Sequence, residues 1–147
     1  IAVQPFPVRH DAQNTFGFLI STRDRTLFHA SDIGSYSAET LTRCQHAHAI
    51  AIESNYDPMT LQHNAYPSFL KARISGPDGH LSNPDAVQFL LHAISETTTN
   101  VFMLHLSENS NSRQLVSQQI RTNLQPVHQH IQYHISNRDS SLPLIEI

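Results

Sequence analysis

The feature that most constrains this chain is a spaced series of short polar motifs, each lying at or just after an apolar stretch. They are RHDA at Arg9–Ala12, ASDIG at Ala30–Gly34, ESN at Glu53–Asn55, GHLSN at Gly79–Asn83 and HLSEN at His105–Asn109. Apolar strands that end in polar residues suit an α/β fold, in which side chains from several strand ends meet in one crevice.

The intervening pattern agrees. Residues 1–8 and 15–22 read as neighbouring strands joined by the polar turn HDAQN, and 26–30 as a third strand running into Ser31-Asp32. Residues 37–43 predict a short helix with Ser37 as its N-cap. The apolar run over 47–52 predicts a strand buried on both faces. Short helices are expected over 58–63 and 67–74, each with a proline in its first turn. Gly-Pro-Asp-Gly marks a turn, and the clearest helix follows over 84–97. Asn83 is its expected cap, with Ala86, Phe89, Leu90 and Ala93 at helical spacing. A further buried strand is predicted over 100–106 and an amphipathic helix over 113–124. The alternating tail, 126–147, predicts one or two edge strands. No repeat, low-complexity segment or interdomain linker interrupts residues 1–147, which read as a single domain or half of a larger one.

Composition bounds the partners. The net charge of −3 gives no overall basic field for nucleic acid. Eleven histidines suit a metal site, although that is more than one site can use and most must have structural or surface roles. The lone Cys44 excludes an internal disulfide and any cysteine-rich zinc site, so a reducing, cytoplasmic setting is the expectation. There is no apolar run long enough for a membrane helix and no basic-then-apolar leader. The chain opens at Ile1 on strand-like sequence, as though cut from something longer.

Each motif residue has a plain reading beside its chemical one. Asp32 can bridge two cations, one oxygen to each; aspartate shortly before Gly34 is also an ordinary turn former. His10 can ligate zinc or manganese or simply hydrogen-bond in a loop, with Asp11 as its orienter or a turn residue. His105 ends a buried strand, and its partner is a metal or a backbone carbonyl. His80 can protonate a leaving oxygen, or GHLSN can serve only to cap the next helix. Glu53 can pair with His80, or with Lys71 or Arg73. His46 and His48 form an H-x-H pair away from the other motifs and read as structural. His92 lies within a helix, and His128, His130 and His134 read as solvent-facing.

Taken in order, PFPVRHDA, LFHASDIG, AIESNYD, LKARISGPDGHLSN and LHLSENSN resemble the C-terminal half of the metallo-β-lactamase fold. The similarity is to its phosphodiesterase-like branch with the YycJ/WalJ-type exonucleases, and more distantly to ribonuclease Z. It runs from about Pro5 to Val116. The resemblance implies one half of a four-layer αββα sandwich, a mixed sheet covered by helices. It implies His10 on one metal, Asp32 bridging both and His105 on the other. His80 would donate a proton to the leaving group, with Glu53 paired to it. Ser82, Asn83, Ser107 and Asn111 would hold substrate or shape the loops. The cofactors implied are two divalent ions, zinc or manganese, which would lower the pKa of a bridging water and clamp a scissile phosphate. The implied substrate is nucleic acid or another phosphodiester.

Two departures stand out. The H-x-H-x-D-H ligand loop of that family is absent from this sequence, so the chain offers ligands to two metal sites without completing either. Ser110 stands where the branch carries asparagine. The expectation is therefore a part of a two-metal hydrolase, inactive alone, whose other half comes from the N-terminal portion or from a partner chain. The alternatives are a non-catalytic interaction module that keeps the fold, with an apolar sheet face that seeks a partner or self-associates, and a metallo-hydrolase of a non-nucleic substrate.

Overall fold

The computed structural model describes residues 1–137, 141–142 and 144–146. Six strands form one sheet in sequence order: β1 (Ala2–Pro7), β2 (Phe16–Ser21), β3 (Thr26–Ala30), β4 (Ala49–Glu53), β5 (Asn100–Leu104) and β6 (Gln132–Ile135). Short turns fold β1, β2 and β3 into an antiparallel meander. From β3 onward the pairing is parallel. Parallel neighbours require crossovers, supplied by α1 (Ala38–Cys44), by α2 (Pro58–His63), α3 (Ser68–Ile74) and α4 (Asn83–Ala93), and by α5 (Arg113–Gln119).

The two-residue period divides the sheet into two faces. Phe6, Phe28, Ile50, Ile52, Val101 and Met103 enter a core with Cys44, Phe89, Leu90, Val116, Ile120 and Leu124 from the helices. Phe28 stacks between Phe6 and Phe89, at 5.2 and 5.7 Å between ring centroids. Gly17 leaves room for this column, since a Cβ there would strike the Phe6 ring. The opposite face carries Phe18, Ile20, Leu27, Phe102 and Leu104, all half-buried, together with His29, Asn100 and His134. Burial pushes the Cys44 thiol far up, which leaves no accessible thiolate for chemistry. No helix among the described residues is long and apolar enough to cross a membrane.

Several boundaries differ from the sequence reading. The cap of α4 is Ser82, whose hydroxyl accepts the Asp85 amide, and Asn83 is the first helical residue. That helix ends at Ala93, not at Thr97, and β5 ends at Leu104, not at Leu106. Pro67 is itself the cap of α3. The helix expected over 113–124 is α-helical only to Gln119 and continues as a π-helical turn through Ile120–Leu124. The tail forms one edge strand, β6; positions 138–140, 143 and 147 of the predicted tail lie outside the described residues. His128 and His134 are half-buried rather than solvent-facing, with His134 stacked on Phe102 at 4.7 Å. His46 is exposed, and His48 accepts the Thr26 amide, so the H-x-H pair is not gathered with the other motifs.

Candidate metal centre

The parallel arrangement brings the C-terminal ends of β3, β4 and β5 side by side, and the motifs of Asp32, Glu53 and His105 lie at those ends, while His10 follows β1 and His80 sits in the turn between α3 and α4. Glu53 is the last residue of β4, the strand that is buried along its whole length, and its side chain is fully buried. An ionised carboxylate in such a place requires several donors. Glu53 Oε1 accepts His105 Nδ1 at 2.6 Å and His80 Nδ1 at 2.7 Å. Its Oε2 accepts the Ile33 amide at 2.9 Å and the Leu81 amide at 3.4 Å. Burial by itself would raise the Glu53 carboxyl. The hydrogen bonds from His105 and His80, the charge on His80 and the Ile33 amide outweigh it, and the net shift is downward. His105 responds in the opposite sense: the Glu53 bond holds its imidazole above the ordinary value, against partial burial.

This bonding sets the tautomers. With Nδ1–H given to Glu53, each of His80 and His105 keeps Nε2 as its free ring nitrogen. His10 is oriented in the same way by its Nδ1–H bond to the Gly79 carbonyl at 2.8 Å. Asp32 sits among all three rings. Its Oδ1 is 3.5 Å from His105 Nδ1, 3.9 Å from His80 Nδ1 and 4.0 Å from His10 Nε2. Ligand atoms of Asp32, Glu53, His80 and His105 lie within 4.8 Å of one another. Glu53 accepts the Nδ1–H groups of both histidines, so it orients them, and Asp32, Glu53, His80 and His105 make up a cluster that could hold a metal ion. Imidazole nitrogen with carboxylate oxygen suits zinc, manganese or iron.

The backbone at this site is strained where the donors project. Asp32 has φ +51° and His105 φ +56°, each just beyond its strand. The left-handed region is uncommon for a residue with a Cβ, and for His105 it implies that the surroundings hold it there. Asn55 does so: its side-chain amide donates to the His105 carbonyl at 2.9 Å, and its own carbonyl accepts the Ser107 amide at 2.8 Å.

Contacts between distant segments fasten the loops. Arg9 pairs with Asp78, and Asp11 pairs with Arg73, which holds the Asp11 carboxyl below its ordinary range. Neither Lys71 nor Arg73 serves Glu53; Lys71 Nζ instead donates to the carbonyls of Gln62 and Asn64, each at 2.8 Å. Gly34 and Gly79 pack backbone to backbone, where a Cβ on Gly34 would strike the Gly79 amide. A Cβ on Gly79 would drive into the carbonyls of Arg73 and Ile74. Gly79→Ala is expected to lower stability by about 1–3 kcal/mol and to displace both His10 and His80, read as a drop in urea midpoint together with weakened metal uptake.

The residues expected to hold substrate or shape the loops divide in two. Asn83 and Asn111 exchange side-chain amide bonds at 2.9 and 2.8 Å, and Asn111 also reaches the Ser54 and Asn55 carbonyls. Ser82 caps α4 and is buried. These three tie β4 to α4 and α5 within the chain. Ser107 alone of the four lines the open cleft beside His80 and His105. Ser110 is buried and accepts the Asn64 side-chain amide at 2.9 Å, which clamps the segment leading into α3. Sequence reasoning gave no role to Asn55 or to the Ile33 and Leu81 amides. Asn55 lay inside a motif already singled out, whereas backbone donors leave no mark in a sequence.

The mixed sheet with its helices is the fold of metallo-β-lactamase proteins, matched over about half of such a chain. Among solved structures, the metallo-β-lactamase fold protein YhfI from Bacillus subtilis superposes with a TM-score of 0.63 at 13% identity, over 91% of this chain and 46% of that one. A diphosphatase of the PhnP family gives 0.57 at 11% identity, over 97% of this chain and 43% of that one. By sequence the chain is similar to exodeoxyribonuclease YycJ of Bacillus anthracis, 31% identical over 115 residues, 78% of this chain and 44% of that protein. It is similar also to exodeoxyribonuclease WalJ of Streptococcus pneumoniae, 29% identical over 78% of this chain and 43% of that protein. The chain thus spans less than half the length of the curated relatives it matches. No protein-family model matches it.

Proposed function

We propose that this chain is the C-terminal part of a two-metal phosphodiesterase, with a nucleic-acid strand as its substrate. The observation that carries the reading is the convergence of His10, Asp32, Glu53, His80 and His105, from separate segments, around a fully buried carboxylate. The names of the sequence relatives favour a nuclease, and the lone cysteine suits a cytoplasmic setting.

His10 would hold one divalent cation, His105 the other, and Asp32 both. The bound ions would supply Lewis acidity toward water and phosphate. The chain's own residues do the rest. Glu53 orients His105 and His80 through one oxygen. With its Nδ1–H given to Glu53, a protonated His80 carries its second proton at Nε2, on the side away from Glu53, and gives it to the departing oxygen. The remaining ligands and the second sheet would come from the N-terminal portion of the full-length protein or from another chain.

The test is leaving-group dependence. His80→Ala in the complete protein is expected to lower hydrolysis of an alkyl phosphodiester, such as a nucleotide linkage, by about 100-fold or more. Bis(p-nitrophenyl) phosphate, whose leaving group needs no proton, should lose far less. Equal losses on both substrates would remove His80 as the proton donor.

A further inference from the structure

Resting on the phosphodiesterase reading, we infer that the cleft beyond His80 and His105 is a nucleotide subsite, in which Tyr66 faces a base and Arg113 meets the next phosphate of the same strand. The cleft is open, about 730 Å³ in volume, and its walls include Tyr66, Ile74, Leu106 and Arg113 together with His80 and His105. A single small phosphodiester needs only the metal centre. A cleft lined by apolar, aromatic and cationic side chains fits a substrate that continues past the reacting phosphate.

Tyr66 is built to remain in place. Its hydroxyl accepts the Asn109 side-chain amide at 2.9 Å, and its backbone amide donates to Asn64 Oδ1 at 3.1 Å. Asn64 is in turn held by the Ser110 hydroxyl and by Lys71. The ring is half-buried, so one part packs and another lines the cleft. A rigid aromatic face binds a base without the entropy cost of ordering a mobile side chain, and stacking tolerates any base. Arg113 is exposed at the start of α5 and makes no ion pair among the described residues. By contrast Arg9, Arg43 and Arg73 are each engaged with a carboxylate. Arg113 is therefore the cleft's available cation, and a guanidinium matches phosphate oxygens two at a time.

The experiment uses the protein expressed from its complete gene and two substrates. Bis(p-nitrophenyl) phosphate offers one phosphate and no base; a fluorescent single-stranded oligodeoxynucleotide offers both. Strand binding is read separately by anisotropy with a phosphorothioate strand. Arg113→Gln is expected to weaken strand binding and raise KM on the oligonucleotide about 10-fold, with a shallower salt dependence. Its kcat/KM on the small ester should stay within about twofold of wild type. Tyr66→Leu should also cost about 10-fold on the strand, while Tyr66→Phe, which keeps the ring and loses only the Asn109 bond, should cost about threefold or less. If wild type hydrolyses the small ester and both variants handle the strand normally, the subsite is overturned and the hydrolase reading stands. Equal losses on both substrates also overturn it. A wild-type protein that hydrolyses neither substrate overturns the hydrolase reading, and the subsite with it.

Discussion

Replacing Asp32 by alanine in the complete protein is expected to remove at least half of the bound metal and to lower phosphodiesterase activity by about 100-fold or more. Asp32 is the one carboxylate whose oxygen lies within 4.0 Å of a nitrogen on each of His10, His80 and His105. No neutral side chain of the same reach can offset the charge of a bound cation. The loss should be chemical and not a failure to fold. Asp32 is 44% exposed and accepts no hydrogen bond among the described residues. The replacement does place an alanine at φ +51°, a cost of about 1–2 kcal/mol. Asp32→Asn avoids most of that strain, because asparagine tolerates the left-handed region, and it should show the same metal deficit. Elemental analysis after gel filtration, paired with turnover, checks both variants. Unchanged metal content and unchanged activity would remove Asp32 from the site.

Glu53→Ala should act mainly on stability. Four donors converge on this one buried carboxylate: two imidazole N–H groups and the amides of Ile33 and Leu81. Truncation leaves them facing a cavity where water is poorly supplied. Stranding one unsatisfied buried group costs about 1–3 kcal/mol, and removing one partner of a buried charged pair about 3–5 kcal/mol. The expected loss for Glu53→Ala is therefore about 3–5 kcal/mol, a large share of the stability of an ordinary domain. Glu53→Gln should cost less, since an amide oxygen remains, yet its NH₂ group must face other donors. Both changes release the tautomers of His80 and His105, so metal affinity should fall even in the isosteric variant. Urea denaturation of the complete protein, with and without added zinc, separates the two effects. A midpoint within the error of wild type for Glu53→Ala would show that the carboxylate does not hold these segments together.

The legible parts of the molecule were those governed by local chemistry. Apolar runs bounded by polar residues marked β3 to the residue and β1, β2, β4 and β5 to within a few positions. Ser37 could be read directly as an N-cap, because the cap hydroxyl acts on an amide only three positions on; the reciprocal bond from Thr40 that completes a capping box was not read from the sequence. The sequence placed the cap of α4 at Asn83, one residue too late, because either side chain can cap. The choice fell to packing: Asn83 is drawn into bonds with Ser54 and Asn111, which leaves the cap to Ser82. The π-helical turn after Gln119 left no sequence signal, since its apolar stripe of Val116, Ile120 and Leu124 is equally helical in period.

What the sequence by itself determined was the inventory and order of the donors. His10, Asp32, Glu53 and His105 each lie at or shortly after the end of a strand, and His80 lies in the turn before α4; strand ends and turns are set by nearest-neighbour preference and burial. What only the tertiary structure decided was their mutual geometry. Glu53 became the acceptor for two histidines because β3, β4 and β5 run parallel and bring their ends together. Asn55 became the support of His105 because a strained backbone needs a partner 50 residues away in sequence. Asn83 and Asn111, read as residues that hold substrate or shape the loops, bond to each other by the same closeness. Hydrogen bonds are fixed at distances of a few ångströms, and a one-dimensional sequence carries no such distance until the sheet has formed.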